Sequence, residues 1–198
     1  MKIIFFFNTS ISFKTISLYM FAKILNKKNK KVLIINFDVQ SYMSKKDINV
    51  DFINFDITSK NCYQEFLKTI DNKKDLYDFI LIDSSSTLSE INLNLLKISN
   101  NVIIPIDVSN DNSKELLEIL LNLKMKERFN STFNFFACGF NKNDIYSVNS
   151  LLKIKKNLNS LLSNVVINKH EFNKIEDLYN NKILTDEYKN LIKSLKII

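Results

Sequence analysis

The chain has 198 residues, 45% of them hydrophobic and 25% charged, a balance that excludes a disordered polypeptide and suits one globular domain over 1–198. No apolar stretch approaches the roughly 20 residues that cross a bilayer, and the run Ile3–Phe7 is ended by Asn8, Thr9 and Ser10 before a signal-peptide core forms, so a cytoplasmic protein is expected. The formal net charge of +7 favours approach to polyanions such as nucleic acid or an acidic membrane surface, but defines no site for them.

Short runs that are apolar throughout recur along the chain, as strands covered on both faces require. The first, Ile3–Phe7, precedes a helix whose stripe is Ile16, Met20 and Ile24 at four-residue spacing, with Phe13 and Leu25 beside them. Strands are then expected at Val32–Ile35, Val50–Phe55, Phe79–Ile82, Val102–Ile106, Phe133–Cys138 and Val165–Ile167. Helix-period segments lie at Leu88–Ile98, Leu116–Leu123 and Leu151–Leu162. Lys45–Asn49, Asp71–Asp75 and Asn141–Asp144 read as loops. After Asn164 the pattern gives a strand, a short helix and a closing helix. Strands alternating with helices predict an α/β fold with a doubly wound, mostly parallel sheet and helices on both faces.

In such a sheet ligands bind at the carboxyl ends of the strands. Three segments there are rich in chemistry: Asn8 to Thr15 after the first run, Asn36 to Gln40 after the second, and Asp83 to Ser86 after the fourth. Lys14-Thr15 at a helix start is how phosphate-binding loops present an ammonium to phosphates and a hydroxyl to magnesium, with backbone donors from the helix N-terminus. An aspartate ending a nearby strand, as Asp83 does, can hold a magnesium-bound water. Asp38 is placed to orient or deprotonate an attacking water.

These segments resemble the ParA/MinD family of partition and positioning ATPases. Asn8, Lys14 and Thr15 match the ends of its loop Asn-x-Lys-Gly-Gly-x-Gly-Lys-Thr. Val32-Leu-Ile-Ile-Asn-Phe-Asp-Val-Gln40 resembles "VLLIDxDPQ", and the stretch from Tyr77 through Asp83 to Ser89 resembles "YDxIIIDxPPSLG". Asn101 to Ile106 is similar to "DxVIIPV", and Val166 to Tyr188 to "IPR…GKPIxEY". The resemblance spans nearly the whole chain in order. It implies a P-loop NTPase-like fold in which Asn8, Ser12, Phe13, Lys14, Thr15 and Ile16 bind ATP, Thr15 and Asp83 hold Mg2+, and Asp38 serves catalysis. It also implies a role in plasmid or chromosome segregation, with a ParB-type or other centromere-binding partner, a homodimer and nucleoid association.

The departures are specific. Thr9, Ser10, Ile11, Ser12 and Phe13 replace the family's three glycines and its extra lysine, and the loop is one residue shorter. A non-glycine residue forced into a glycine-only backbone conformation costs about 1–3 kcal/mol, so a pseudo-ATPase that keeps the fold as a binding or scaffold module is the alternative. Asn36, Val39 and Ser85-Ser86 also replace family residues.

The remaining constellations have plainer readings. Ser84-Ser-Ser-Thr87 lacks a nucleophile elbow and reads as a serine-rich turn. His170 is expected as an exposed loop residue near the position where the family binds adenine. Cys62 and Cys138 read as free buried thiols, and Lys27 to Lys31 as a solvated turn. Lys153, Lys155, Lys156, Lys189, Lys193 and Lys196 lie on C-terminal helices, the region that the family uses for nonspecific DNA contact.

Overall fold

The computed structural model describes residues 1–10, 13–37, 50–59, 61–127, 129–170, 177 and 180–198. The expected elements at Lys45–Asn49, together with Ile11, Ser12, Asp38, Val39 and Gln40, lie outside the described residues.

The described elements run β1 (Lys2–Phe6), α1 (Lys14–Lys27), β2 (Val32–Asn36), β3 (Asp51–Asn54), α2 (Cys62–Lys73), β4 (Phe79–Asp83) and α3 (Glu90–Ile98). They continue with β5 (Asn101–Asp107), α4 (Ser113–Glu127), β6 (Thr132–Phe140), α5 (Ile145–Leu158), β7 (Leu162–Asn168) and α6 (Lys182–Ser194). The seven strands form one parallel sheet in the order β3-β2-β4-β1-β5-β6-β7. All seven apolar runs are strands, as expected from covering both faces of a parallel sheet.

Alternation along each strand feeds two cores. Ile4 and Phe6 of β1 join a cluster with α1 and α6, while Ile3 and Phe5 join the cluster under α2, α3, α4 and α5. The α1–α6 side is built around rings: Phe6 and Phe21 meet edge to face at 5.2 Å, and Tyr188 of α6 lies 6.3 Å from Phe21 and 6.2 Å from Phe136. Each such buried ring contributes about 1.5–3 kcal/mol of transfer free energy. Tyr188 is fully buried, and its hydroxyl is 2.8 Å from Ser17 Oγ of α1. Burial pushes the Tyr188 phenol far above its usual range, so it stays neutral and serves as a hydrogen-bonding strut.

Several boundaries differ from the sequence expectation: α3 begins at Glu90, α4 extends over Ser113–Glu127 and α5 begins already at Ile145. The helix expected over Leu151–Leu162 stops at Leu158, because Asn159 adopts a left-handed φ of 46° and a short 3-10 turn leads into β7 at Leu162. Asp71–Lys73, expected within a loop, form the last turn of α2. Phe66 and the partly buried Ile70 keep that helix against the core, and Lys73 complements its carboxyl-terminal dipole. The expected loop at Asn141–Asp144 is a turn.

Replacing Tyr188 by Phe keeps the packing and removes one hydroxyl, leaving Ser17 Oγ buried without that partner. A loss of about 1–2 kcal/mol is expected, read as a lower midpoint in urea at unchanged slope.

Candidate functional site

The order of the sheet puts β1 between β4 and β5, so the loop after β1 emerges between the loops that follow those two strands. β1 and β4 pair in register up to Phe6 opposite Asp83, and β2 pairs with β4 up to Asn36 opposite Asp83. Strand register alone therefore brings the residues after β1, β2 and β4 to one place.

Asn8 is fully buried and fixes the entry of the loop. Its side-chain amide donates to Pro105 O at 2.7 Å on β5, and its Oδ1 accepts from Ser10 N at 2.9 Å, Ser10 Oγ at 3.1 Å and Asn112 Nδ2 at 2.8 Å. One carboxamide thereby ties the loop to β5 and to the start of α4.

Phe13 caps α1 without a side-chain acceptor, unlike Ser89, Asp144 and Asn181, which cap α3, α5 and α6. The first helical bond runs from Ser17 N to Phe13 O at 2.8 Å. The amides of Lys14, Thr15 and Ile16 thus precede it, as the donors that a helix N-terminus offers to an anion.

Lys14 is only 4% exposed. Its Nζ lies 2.5 Å from Ser86 Oγ and 3.5 Å from Ser10 O, and Ser86 Oγ itself donates to Ser10 O at 3.0 Å. Next to it, the Thr15 hydroxyl donates to Oδ2 of the buried Asp83 at 2.6 Å. Asp83 O accepts from Phe37 N at 2.9 Å, which holds the end of β2 against the end of β4. The serine turn is braced from α3, where Asn92 Nδ2 donates to Ser85 O at 3.1 Å and to Thr87 O at 2.6 Å.

The structure therefore brings together Asn8, Lys14, Thr15 and Asp83 at the start of α1, with Phe13 and Ile16 half-buried beside them. Asp38 and Ser12 lie outside the described residues. Asn92 and Asn112 were not singled out by the sequence, and Ser86 was read only as part of a serine-rich turn. Each acts through a contact far along the chain, for which short-range patterns carry no signal.

Gly139, the only glycine of the chain, was also missed. It has a φ of +73°, and a Cβ there would stand 3.4 Å from the Phe13 ring and 3.2 Å from Asp107 Oδ1. The room taken by the bulky residue before Lys14 is thus provided by β6.

His170 corrects an expectation. It is not an exposed loop residue: its side chain is 14% exposed, and its Nε2 lies 3.0 Å from Glu187 Oε2 on α6. Glu187 also receives Asn168 Nδ2 at 2.5 Å, so its carboxylate joins the end of β7 to α6. Cys62 and Cys138 are free and buried, as expected, and desolvation raises both thiols above their ordinary pKa. The C-terminal lysines do not form one face: α5 and α6 cover opposite sides of the sheet. Lys153 and Lys189 are engaged with Asp111 and Asp186.

Residues 46–135 match the model of a family described as an AAA domain. Over 100% of this chain and 99% of the other, the structure aligns with a proposed plasmid partition protein from Borrelia burgdorferi B31 bound to AMPPNP, at 24% identity and a TM-score of 0.75. It also aligns with apo McdA from Cyanothece at 14% identity, 98% and 99% coverage and a TM-score of 0.72, and with the MinD of an Aquifex aeolicus MinC:MinD complex at 14% identity, 98% and 96% coverage and a TM-score of 0.69. The fold is that of the ParA/MinD-type P-loop ATPases. No curated protein sequence matches the chain. Within the ParA/MinD-type fold, Lys14 and Thr15 stand at the start of the first helix and Asp83 at the end of the strand beside it. Among the described residues no helix is long and apolar enough to cross a membrane.

Gly139→Ala is expected to destabilise the protein by about 1–2 kcal/mol from the left-handed backbone alone, with a further cost if Phe13 must shift. Thermal melting checks this, and Gly139→Ala combined with Phe13→Ala should recover part of the loss if the ring is the obstacle.

Proposed function

We propose that the chain is a ParA-like partition protein in DNA segregation that binds ATP with Mg2+ weakly, with slow or absent hydrolysis. The observation carrying this reading is the convergence of Lys14, Thr15 and Asp83, an ammonium, a hydroxyl and a carboxylate gathered at the start of α1. In this reading Lys14 and the amides of Phe13, Lys14, Thr15 and Ile16 meet the phosphates, Ser12 completes the loop, and Asn8 keeps its entry fixed. Thr15 and Asp83 fit Mg2+: both present hard oxygen donors on rigid elements, in contact at 2.6 Å, and this ion takes few protein ligands beside water and phosphate. When bound, Mg2+ supplies neutralisation of phosphate charge. Asp38 orients the attacking water. A ParB-type or other centromere-binding protein, a second copy of the chain and nucleoid DNA are the proposed partners; a ParA bound to nonspecific DNA shares the fold, at 16% identity and a TM-score of 0.65.

A second reading, a non-catalytic scaffold, is favoured by one specific feature. The Lys14 ammonium already rests on Ser86 and Ser10, so a phosphate must displace a hydroxyl that is in place. Hydrogen bonds that involve a charged group contribute about 1.5–3 kcal/mol; the Lys14–Ser86 bond is already of that kind, so exchanging it for phosphate is favoured only modestly.

Calorimetric titration of the protein with ATP and Mg2+ tests both readings. Lys14→Ala is expected to weaken binding at least tenfold, a change of about 1.4 kcal/mol or more, whereas Ser86→Ala should tighten it several-fold by freeing the ammonium. Phosphate release that disappears in Lys14→Ala supports the ATPase reading. Binding without phosphate release leaves the scaffold, and no binding at millimolar nucleotide sinks the ATP site.

A further inference from the structure

In a parallel sheet with returning helices, the starts of the strands and the ends of the helices collect at one end of the molecule. Each described helix carries lysine in its last turn there: Lys27, Lys73, Lys97, Lys126, Lys156 and Lys193. One lysine at a helix end only complements the dipole. The turn joining α1 to β2 goes further. Lys27, Lys28, Lys30 and Lys31 are all exposed, and none makes an ion pair among the described residues.

The turn that carries them is rigidly held. Lys28 N and Lys30 N donate to Leu25 O at 3.0 and 3.1 Å, Asn29 takes a left-handed φ of 58°, and Lys31 N donates to Asp78 Oδ2 at 2.9 Å. A groove of about 680 Å³ opens beside it, lined by Asn26, Asn29, Lys30, Lys31, Leu76 and Tyr77 among others. The acid within that groove, Asp51, accepts the Tyr77 hydroxyl at 2.6 Å. At the carboxyl end, by contrast, the strands finish in Asp83 and Asp107.

We infer that the amino end of the sheet is a phosphodiester-binding face centred on the Lys27–Lys31 turn, with duplex DNA as its occupant, at the end opposite Lys14. It rests on the partition reading only for the choice of DNA. A ridge of phosphates enters a groove, which a flat bilayer does not. Contacts to phosphate carry no sequence information, so binding is nonspecific and salt-dependent.

The test measures anisotropy of a labelled random duplex against the full chain, without nucleotide, across a salt series. Expected are affinity falling steeply with salt and a loss of tenfold or more in the quadruple variant Lys27→Ala, Lys28→Ala, Lys30→Ala, Lys31→Ala. The salt slope of that variant should flatten by about 0.9 for each phosphate contact removed, with the folded circular-dichroism spectrum retained. Lys142→Ala with Lys169→Ala, at the carboxyl end, should bind as the unmodified chain does. The proposal is overturned if the quadruple variant binds DNA normally, if the carboxyl-end control loses binding, or if the unmodified chain ignores DNA and binds phosphatidylserine vesicles instead. Because nucleotide is omitted, failure of the ATP site and failure of this face are read separately.

Discussion

The Thr15 hydroxyl, bonded to the Asp83 carboxylate at 2.6 Å, fixes where the first helix begins relative to the sheet. Asp83 has no solvent exposure, and a buried carboxylate is tolerated only where donors meet it. The donor comes from α1, and the main chain at Asp83 in turn receives the amide that ends β2. Since β1 pairs with β4 up to Asp83, any slip of that register would move the carboxylate away from Thr15 and strand it. Sheet register and helix start are therefore specified together, and the candidate site follows from both.

A phosphate loop rich in glycine leaves its amides open for a ligand; here the described residues at its two ends bond or pack against the protein itself. Asn8 takes up Ser10, Lys14 reaches back to Ser86 and Ser10, and Phe13 packs beside Gly139. These contacts satisfy buried polar groups from within the protein. An anion entering there would compete with contacts that Lys14 already makes to Ser86 and Ser10. The same serine turn is held by Asn92 of α3, so displacement of Ser86 would be felt at that helix.

How much of this was legible follows from the range of each interaction. The strands were readable because coverage on both faces demands short apolar runs, a property of consecutive residues. Lys14, Thr15 and Asp83 could be singled out because strand ends in such folds are where ligands bind, and the resemblance ordered them. The end of α5 was misplaced because Leu158, Leu161 and Leu162 continue an apolar pattern through a turn set by the backbone of Asn159. His170 was taken as exposed because its partner Glu187 lies on another element. Gly139 offered a signal that went unused: a single glycine in 198 residues marks a backbone position that other residues fill poorly, and here that position faces the bulky residue standing before Lys14.

The two ends of the sheet differ in chemistry for a topological reason. Helices returning antiparallel to the strands place their amino ends, with acidic residues such as Glu65, Glu90 and Glu115 in the first turns, at the carboxyl end of the sheet. Their lysine-bearing last turns lie at the other end. Local pairing with the helix dipole, worth about 0.3–1 kcal/mol per residue, is enough to account for each charge separately. Their accumulation is a consequence of the parallel fold, and it divides the surface: a polyanion is drawn to the end away from α1's start, while a small phosphate must be held at the other end by Lys14 and backbone amides against the local acids. A net charge of +7 therefore says little about the candidate nucleotide site, because each described helix ends in lysine at the opposite pole.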